Sequence, residues 1–184
     1  FKVPFTLPFK RGDIFKELCV PIKPLGSEFT GVKYSVVGNP STIDIGVKRH
    51  MTSLSSAEGK SNSYLWELVA LKEQSFIRWR QLTSDAHINM VGRVDAPPEF
   101  SIMLSDVPAT LGVDSEPHTA ILLTYDFVRL EARAGFAACC VGADQLKARF
   151  MEDIAKAAPE LWSKSMKTRG YTMITESAAV AAVA

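Results

Sequence analysis

Residues 144–171 read DQLKARFMEDIAKAAPELWSKSMKTRGY, and their period decides the fold. Leu146, Phe150, Ile154, Ala157 or Ala158, Leu161 and Met166 recur at helical spacing. Lys147, Glu152, Lys156, Glu160 and Lys164 take the opposite side. Glu152–Lys156 and Glu160–Lys164 form favourable i,i+4 pairs, each worth a few tenths of a kcal/mol. Asp144 is a suitable N-cap, Pro159 should kink the helix, and Arg169-Gly170 should end it. The segment predicts one amphipathic helix of about 25 residues.

Upstream of it the period is two. Phe1, Val3, Phe5 and Leu7 alternate with Lys2, Pro4, Thr6 and Pro8, an edge-strand pattern because of its two prolines. Asp13 can cap a short helix that turns Ile14, Phe15 and Leu18 inward, and Pro21 and Pro24 stop it. Val32, Tyr34 and Val36 then alternate before a Gly38-Asn39-Pro40 turn. Ile43, Ile45, Val47, Arg49 and Met51 follow on one face, and Tyr64, Trp66, Leu68 and Ala70 on the next. Ile77 and Trp79 alternate with Arg78 and Arg80. Ile88, Met90 and Val94 suggest a short strand, and Phe100, Ile102 and Leu104 another. Ile121, Leu123, Tyr125 and Phe127 alternate with Thr124 and Asp126. Successive segments with one apolar and one polar face predict an antiparallel meander wet on one side. The order is strand, short helix, about six strands, long helix. A single helix is too narrow to fill such a sheet, so this α+β arrangement implies an internal cavity.

The whole chain has 184 residues, 47% of them apolar and 22% charged, as in an ordinary globular domain. The pattern predicts one domain over residues 1–172 and a flexible tail over 173–184, where 177–184 are only Ser, Ala and Val. The net charge of +1 argues against a dedicated nucleic-acid binder. No apolar run approaches the length of a transmembrane helix. Cys19, Cys139 and Cys140 are an odd set with an adjacent pair, which does not fit a secreted disulfide framework and suggests a reducing intracellular compartment. The chain opens on Phe1 rather than Met, as a processed chain would.

Several stretches resemble the START-like superfamily (Bet v 1-like, SRPBCC, polyketide cyclase/lipid transport). FTLPFKRGDIFKEL at 5–18 is similar to its first strand and short helix. YLWELVALKEQSFIRWRQLTSD at 64–85 is similar to two central strands, and HTAILLTYDF at 118–127 to the last strand. The segment 144–171 is similar to the carboxy-terminal helix. The resemblance implies a helix-grip fold, with a curved antiparallel sheet holding the long helix around a cavity. It also implies a hydrophobic ligand such as a lipid, polyketide, terpenoid or pigment. Some members of the superfamily cyclise or dehydrate their ligands.

The inward phase names the candidate wall: Tyr34, Arg49, Trp66, Trp79, Met90, Phe100, Tyr125 and Phe127 from the sheet, with Phe150 and Ile154 from the helix. Ile45, Val47, Leu68, Ile77, Ile102, Leu123, Leu161 and Trp162 share that phase. Tyr34, Arg49, Gln81, Tyr125 and Arg129 are its polar members. Arg49 stands out, because a buried guanidinium needs a partner from protein or ligand. The alternative is that its strand ends there and the side chain reaches water. Arg78 and Arg80 beside Trp79 read as a solvated face. His50, His87 and His118 are scattered and lack metal-ligand spacing, so no metal is expected. No motif calls for a cofactor, a nucleophile elbow or a phosphate loop.

Three functions fit. A binding module would hold one hydrophobic small molecule between sheet and helix. An aromatase/cyclase-type enzyme would fold a polyketide-like carbonyl substrate by proximity, with Tyr34, Arg49 and Tyr125 stabilising an enolate oxygen. An accessory or scaffold subunit would instead use the outer sheet face, where Leu65, Val69, Leu122 and Val128 would also permit a homodimer.

Overall fold

Alternation in the strand segments and a helical period in the last segment give two layers, a sheet and the helix that covers it. The computed structural model describes residues 2–27, 32–38, 40–54, 61–82, 99–107, 118–126 and 143–174. The elements are β1 (Lys2–Leu7), α1 (Arg11–Leu18), β2 (Val32–Val36), β3 (Lys48–Leu54), β4 (Ser61–Lys72), β5 (Phe76–Leu82), β6 (Glu99–Asp106), β7 (Thr119–Asp126) and α2 (Ala143–Thr168). The seven strands pair antiparallel in the order β1-β7-β6-β5-β4-β3-β2. Strands β2 to β7 form the expected meander, and β1 joins its far edge through β7.

Register puts the alternating apolar residues on one face. Val3 faces Leu123 and Phe5 faces Ile121 across β1–β7, while Ile77 faces Ile102 across β5–β6. These residues are buried or packed on the core with Leu7, Leu68, Trp79 and Leu104. Burying each such side chain stabilises the fold by about 1.5–3 kcal/mol. From α2, Ala158 and Met166 are buried in the same core, and Ile154 and Trp162 pack against it. The Trp162 ring meets Phe5 edge-on at 5.5 Å, which places the helix over the β1 side of the sheet.

The ends of the helices are tied down by buried hydrogen bonds. Gly26 N–H donates to Ser165 Oγ at 3.1 Å, and Thr119 Oγ1 donates to Phe9 O at 2.7 Å. Gly26 has φ +80, and a Cβ there would stand 3.0 Å from Trp162 Cδ1, so both conformation and space favour glycine. A further polar cluster closes the carboxy-terminal end. Arg169 Nη1 donates to Glu17 Oε2, Arg169 Nη2 donates to Lys23 O at 2.9 Å, and Tyr171 OH donates to Glu17 Oε1 at 2.7 Å. Past Tyr171, Met173 packs on the core and Ile174 N–H donates to Pro8 O at 3.0 Å. The remaining tail, 175–184, lies outside the described residues.

Local details depart from the sequence reading for physical reasons. Ile45 is not on a strand face but 63% exposed. The chain turns there, with Val47 N–H bonded to Asp44 O and Gly46 at φ +91. Strand β3 therefore begins only at Lys48. Ala70 does not continue the inward row of β4, because the register slips between Leu68 and Ala70. Beyond that bulge Leu71 pairs with Ile77 and takes the core side, as an extra residue requires. Asp13 lies inside the first turn of α1, whose N-cap is Lys10 without a side-chain cap. Asp144 likewise lies within α2, which starts at Ala143. Pro159 stays inside that helix, and the chain leaves it through Gly170 at φ +86. The expected strand around Ile88, Met90 and Val94 lies outside the described residues.

Candidate functional site

Strand alternation delivers six of the ten candidate wall residues to one connected patch. Arg49 sits on β3 opposite Val36 of β2 and Trp66 of β4. Its guanidinium carbon lies 3.8 Å from the Trp79 ring centroid, reaching diagonally across β4, and 5.0 Å from the Tyr34 ring. Trp66 meets Phe100 edge-on at 5.2 Å. Phe100 stacks with Tyr125 at 5.9 Å. Tyr34, Arg49, Trp66, Trp79, Phe100 and Tyr125 thus form a continuous aromatic surface around one cation. Gln81 is buried opposite Trp66. Ile154 reaches the core from α2. Met90, Phe127 and Arg129 lie outside the described residues, as does the side chain of Phe150.

Arg49 is 5% exposed, so its strand does not deliver it to water. Its Nε and Nη1 are buried with no hydrogen-bond acceptor, and Trp66 Nε1 is in the same state. Among the described residues no carboxylate pairs with it. Cation–π contact compensates part of such a burial, about 2 kcal/mol for a desolvated pair. It leaves the in-plane N–H bonds unmade, and each unmade buried bond costs about 1–3 kcal/mol.

Electrostatics match that geometry. Burial pulls Arg49 down to about 10, with Tyr34 and Cys19 acting the other way. Burial raises Tyr34, opposed by Arg49. Burial, then Tyr34, pushes Tyr125 up to about 12. Burial pushes the Cys19 thiol up to about 11, opposed by Arg49. At neutral pH the phenols and the thiol are protonated, and Arg49 is charged. The cluster therefore offers a cation and hydroxyl donors on an apolar wall. Cys19 is the member that sequence reasoning left out of the site. It follows α1 directly, and only the folding of α1 against the sheet brings it near Arg49.

The opposite face of the sheet is solvated. Arg80 Nε lies 2.6 Å from Glu99 Oε1 and Arg78 Nε 4.0 Å from Glu99 Oε2. Lys48 Nζ lies 3.9 Å from Glu67 Oε1. Met103 is 49% exposed there. Among the described residues no group of His, Cys, Asp and Glu could hold a metal ion. No helix among them is long and apolar enough to cross a membrane.

The open seven-stranded order with a long helix across it is shared with solved structures. The protein of unknown function SA2116 from Staphylococcus aureus is similar over 97% of this chain and 94% of its own, at 11% identity and a TM-score of 0.55. The di-domain ARO/CYC BexL from the BE-7585A biosynthetic pathway is similar over 90% of this chain, at 9% identity and a TM-score of 0.50. The chain has the START-like, Bet v 1-like helix-grip fold. It spans 48% of the two-domain BexL chain. No family model matches the sequence, and no curated protein matches it either. At these identities the helix-grip likeness concerns the fold alone, and function has to be argued from the side chains of the inner face.

Proposed function

We propose that this protein binds one hydrophobic small molecule, of lipid, polyketide, terpenoid or pigment class, against the inner face of β2–β7 under α2. The observation that carries this reading is the aromatic patch around Arg49 and Trp66, whose buried donors have no acceptor among the described residues. An apolar wall with a few convergent polar groups is what a small-molecule site requires. A core built only for packing has no use for an unpaired guanidinium. Native mass spectrometry of the purified protein, before and after incubation with N-phenyl-1-naphthylamine, tests it. One adduct per chain in either condition supports the reading, and an apo mass in both overturns it.

A second reading rests on a specific observation. Tyr34 raises Tyr125, and Arg49, 5.0 Å from the Tyr34 ring, acts on Tyr34, which links the three polar groups along one face. That arrangement suits stabilisation of an enolate oxygen in a cyclase-type reaction. Conversion of a bound carbonyl substrate would establish it. The scaffold reading draws less support, because charged pairs border the outer face.

A further inference from the structure

We propose that the molecule held at this site is an organic anion, with its acidic oxygen seated between Arg49 and the Trp66 indole N–H and its apolar body on the aromatic wall. This deepens the binding reading and rests on it. Arg49 and Trp66 are direct cross-strand neighbours on the inner face, so their Cβ atoms stand about 5 Å apart. Three buried donors from the pair lack acceptors, namely Arg49 Nε, Arg49 Nη1 and Trp66 Nε1. None of these groups can itself accept a hydrogen bond. The rings of Trp79 and Tyr34 lie against the guanidinium. They attract the cation but take none of its in-plane N–H bonds.

The nearby titratable groups are Tyr34, Tyr125 and Cys19, all protonated at neutral pH. Nothing described around Arg49 supplies a negative charge. A neutral ligand carbonyl would fill one acceptor position and leave the charge unbalanced. A carboxylate, sulfonate, phosphate or phenolate oxygen supplies both charge and lone pairs. The aromatic rings on either side, Trp79 and Tyr34 at Arg49 and Phe100 at Trp66, favour a flat, unsaturated body next to that oxygen.

A matched pair of fluorescent probes separates the two claims. 1-Anilinonaphthalene-8-sulfonate and N-phenyl-1-naphthylamine share one aromatic skeleton, and only the first carries an anion. Each is titrated into the wild-type chain and into Arg49→Met, Arg49→Lys and Trp66→Phe, with the thermal midpoint of each variant measured alongside. The wild-type chain should bind one equivalent of each, with the sulfonate about tenfold or more the tighter. Arg49→Met should bind the two equally and melt no lower than wild type. Arg49→Lys should keep part of the preference, and Trp66→Phe should weaken the sulfonate several-fold while sparing the neutral probe.

Equal affinity of the two probes in the wild-type chain overturns the anion inference and leaves the binding reading intact. So does a sulfonate preference that survives Arg49→Met. If Arg49→Met unfolds while Arg49→Lys folds, Arg49 balances an acid of its own chain, and the inference fails again. Binding of neither probe removes the binding reading and the inference together.

Discussion

Two regions of the inner sheet face are built from the same alternation and end in opposite states. On the β1–β7–β6 side, Val3, Phe5, Leu7, Ile121, Leu123, Ile102 and Leu104 meet Trp162 and Met166 of α2, apolar group on apolar group. Thr119 pairs there with Phe9 O and Ser165 with Gly26 N–H, and although Arg11 Nε is buried without an acceptor, its guanidinium meets an acid of the chain, with Nη2 3.3 Å from Asp106 Oδ2. On the β2–β5 side, the same inward phase delivers Arg49, Gln81, Tyr34 and two tryptophans. Donors on Arg49 and Trp66 remain without acceptors. The first region is completed by the chain itself. The second has the composition of a surface that something else completes, which is why the functional argument concentrates on it.

That contrast is broken or sharpened by comparing one substitution in each region. Ile121 is fully buried in the completed region, and Ile121→Ala leaves a cavity that its neighbours can only partly close. It should lose about 2–5 kcal/mol, a fall of roughly 5–15 °C in the melting midpoint. Arg49→Met should do the reverse, gaining about 1–3 kcal/mol in the ligand-free protein. Burial lowers the Arg49 pKa from 12.5 to about 10. A base lowered in this way opposes folding below pH 10, and the penalty is relieved as pH rises from 10 towards 12.5. Denaturant melts of the two variants at pH 7 check both signs. Equal losses in both would mean that Arg49 belongs to the completed region.

The contrast was partly legible in the sequence, and the reasons differ by residue. Period two placed Trp66, Trp79, Tyr125 and Arg49 inward, because one buried face fixes strand register strongly. Phase is lost wherever the backbone departs from regular pleat. Ile45 was misread because a turn with left-handed Gly46 precedes β3, and Ala70 because a bulge shifts β4 by one residue. The inward position of Arg49 was legible, but its lack of an acid partner was not. Partnership depends on six other strands and on α1. Glu17, Arg169 and Tyr171 meet across more than 150 positions, and no local pattern signals such a cluster. The closing of one end of the fold was therefore invisible in the sequence.

That closing cluster offers a smaller test of how firmly the completed region is held. Tyr171 is pushed up to about 12, first by its hydrogen bond to Glu17. The raised value means that the folded state favours the neutral phenol. Its contribution is complete below pH 10 and is lost as pH climbs from 10 through 12. Tyr171→Phe removes the bond and should cost about 1 kcal/mol near neutrality. The deficit should shrink as pH approaches 12, measured as the difference in denaturant midpoint from wild type. A deficit that stays constant across that range would show that Tyr171 acts only through packing.

Cys19 reports on the other region with the smallest effect on stability. Burial raises its thiol from 9.0 to about 11, while Arg49 pulls it back. In a background with Cys139→Ser and Cys140→Ser, the Cys19 thiol should react with a disulfide reagent at pH 8 roughly a hundredfold more slowly than an exposed cysteine, since the thiolate is the nucleophile. Removing the cation by Arg49→Met should slow it further. An anion seated at Arg49 would cancel the same charge, so bound 1-anilinonaphthalene-8-sulfonate should slow wild-type Cys19 by a larger factor than it slows Cys19 of Arg49→Met. The neutral naphthylamine could slow both proteins by shielding the thiol, but not one alone. A rate that ignores Arg49 in every case would place Cys19 outside the field of the guanidinium and reduce the incomplete region to Arg49 and its aromatic neighbours.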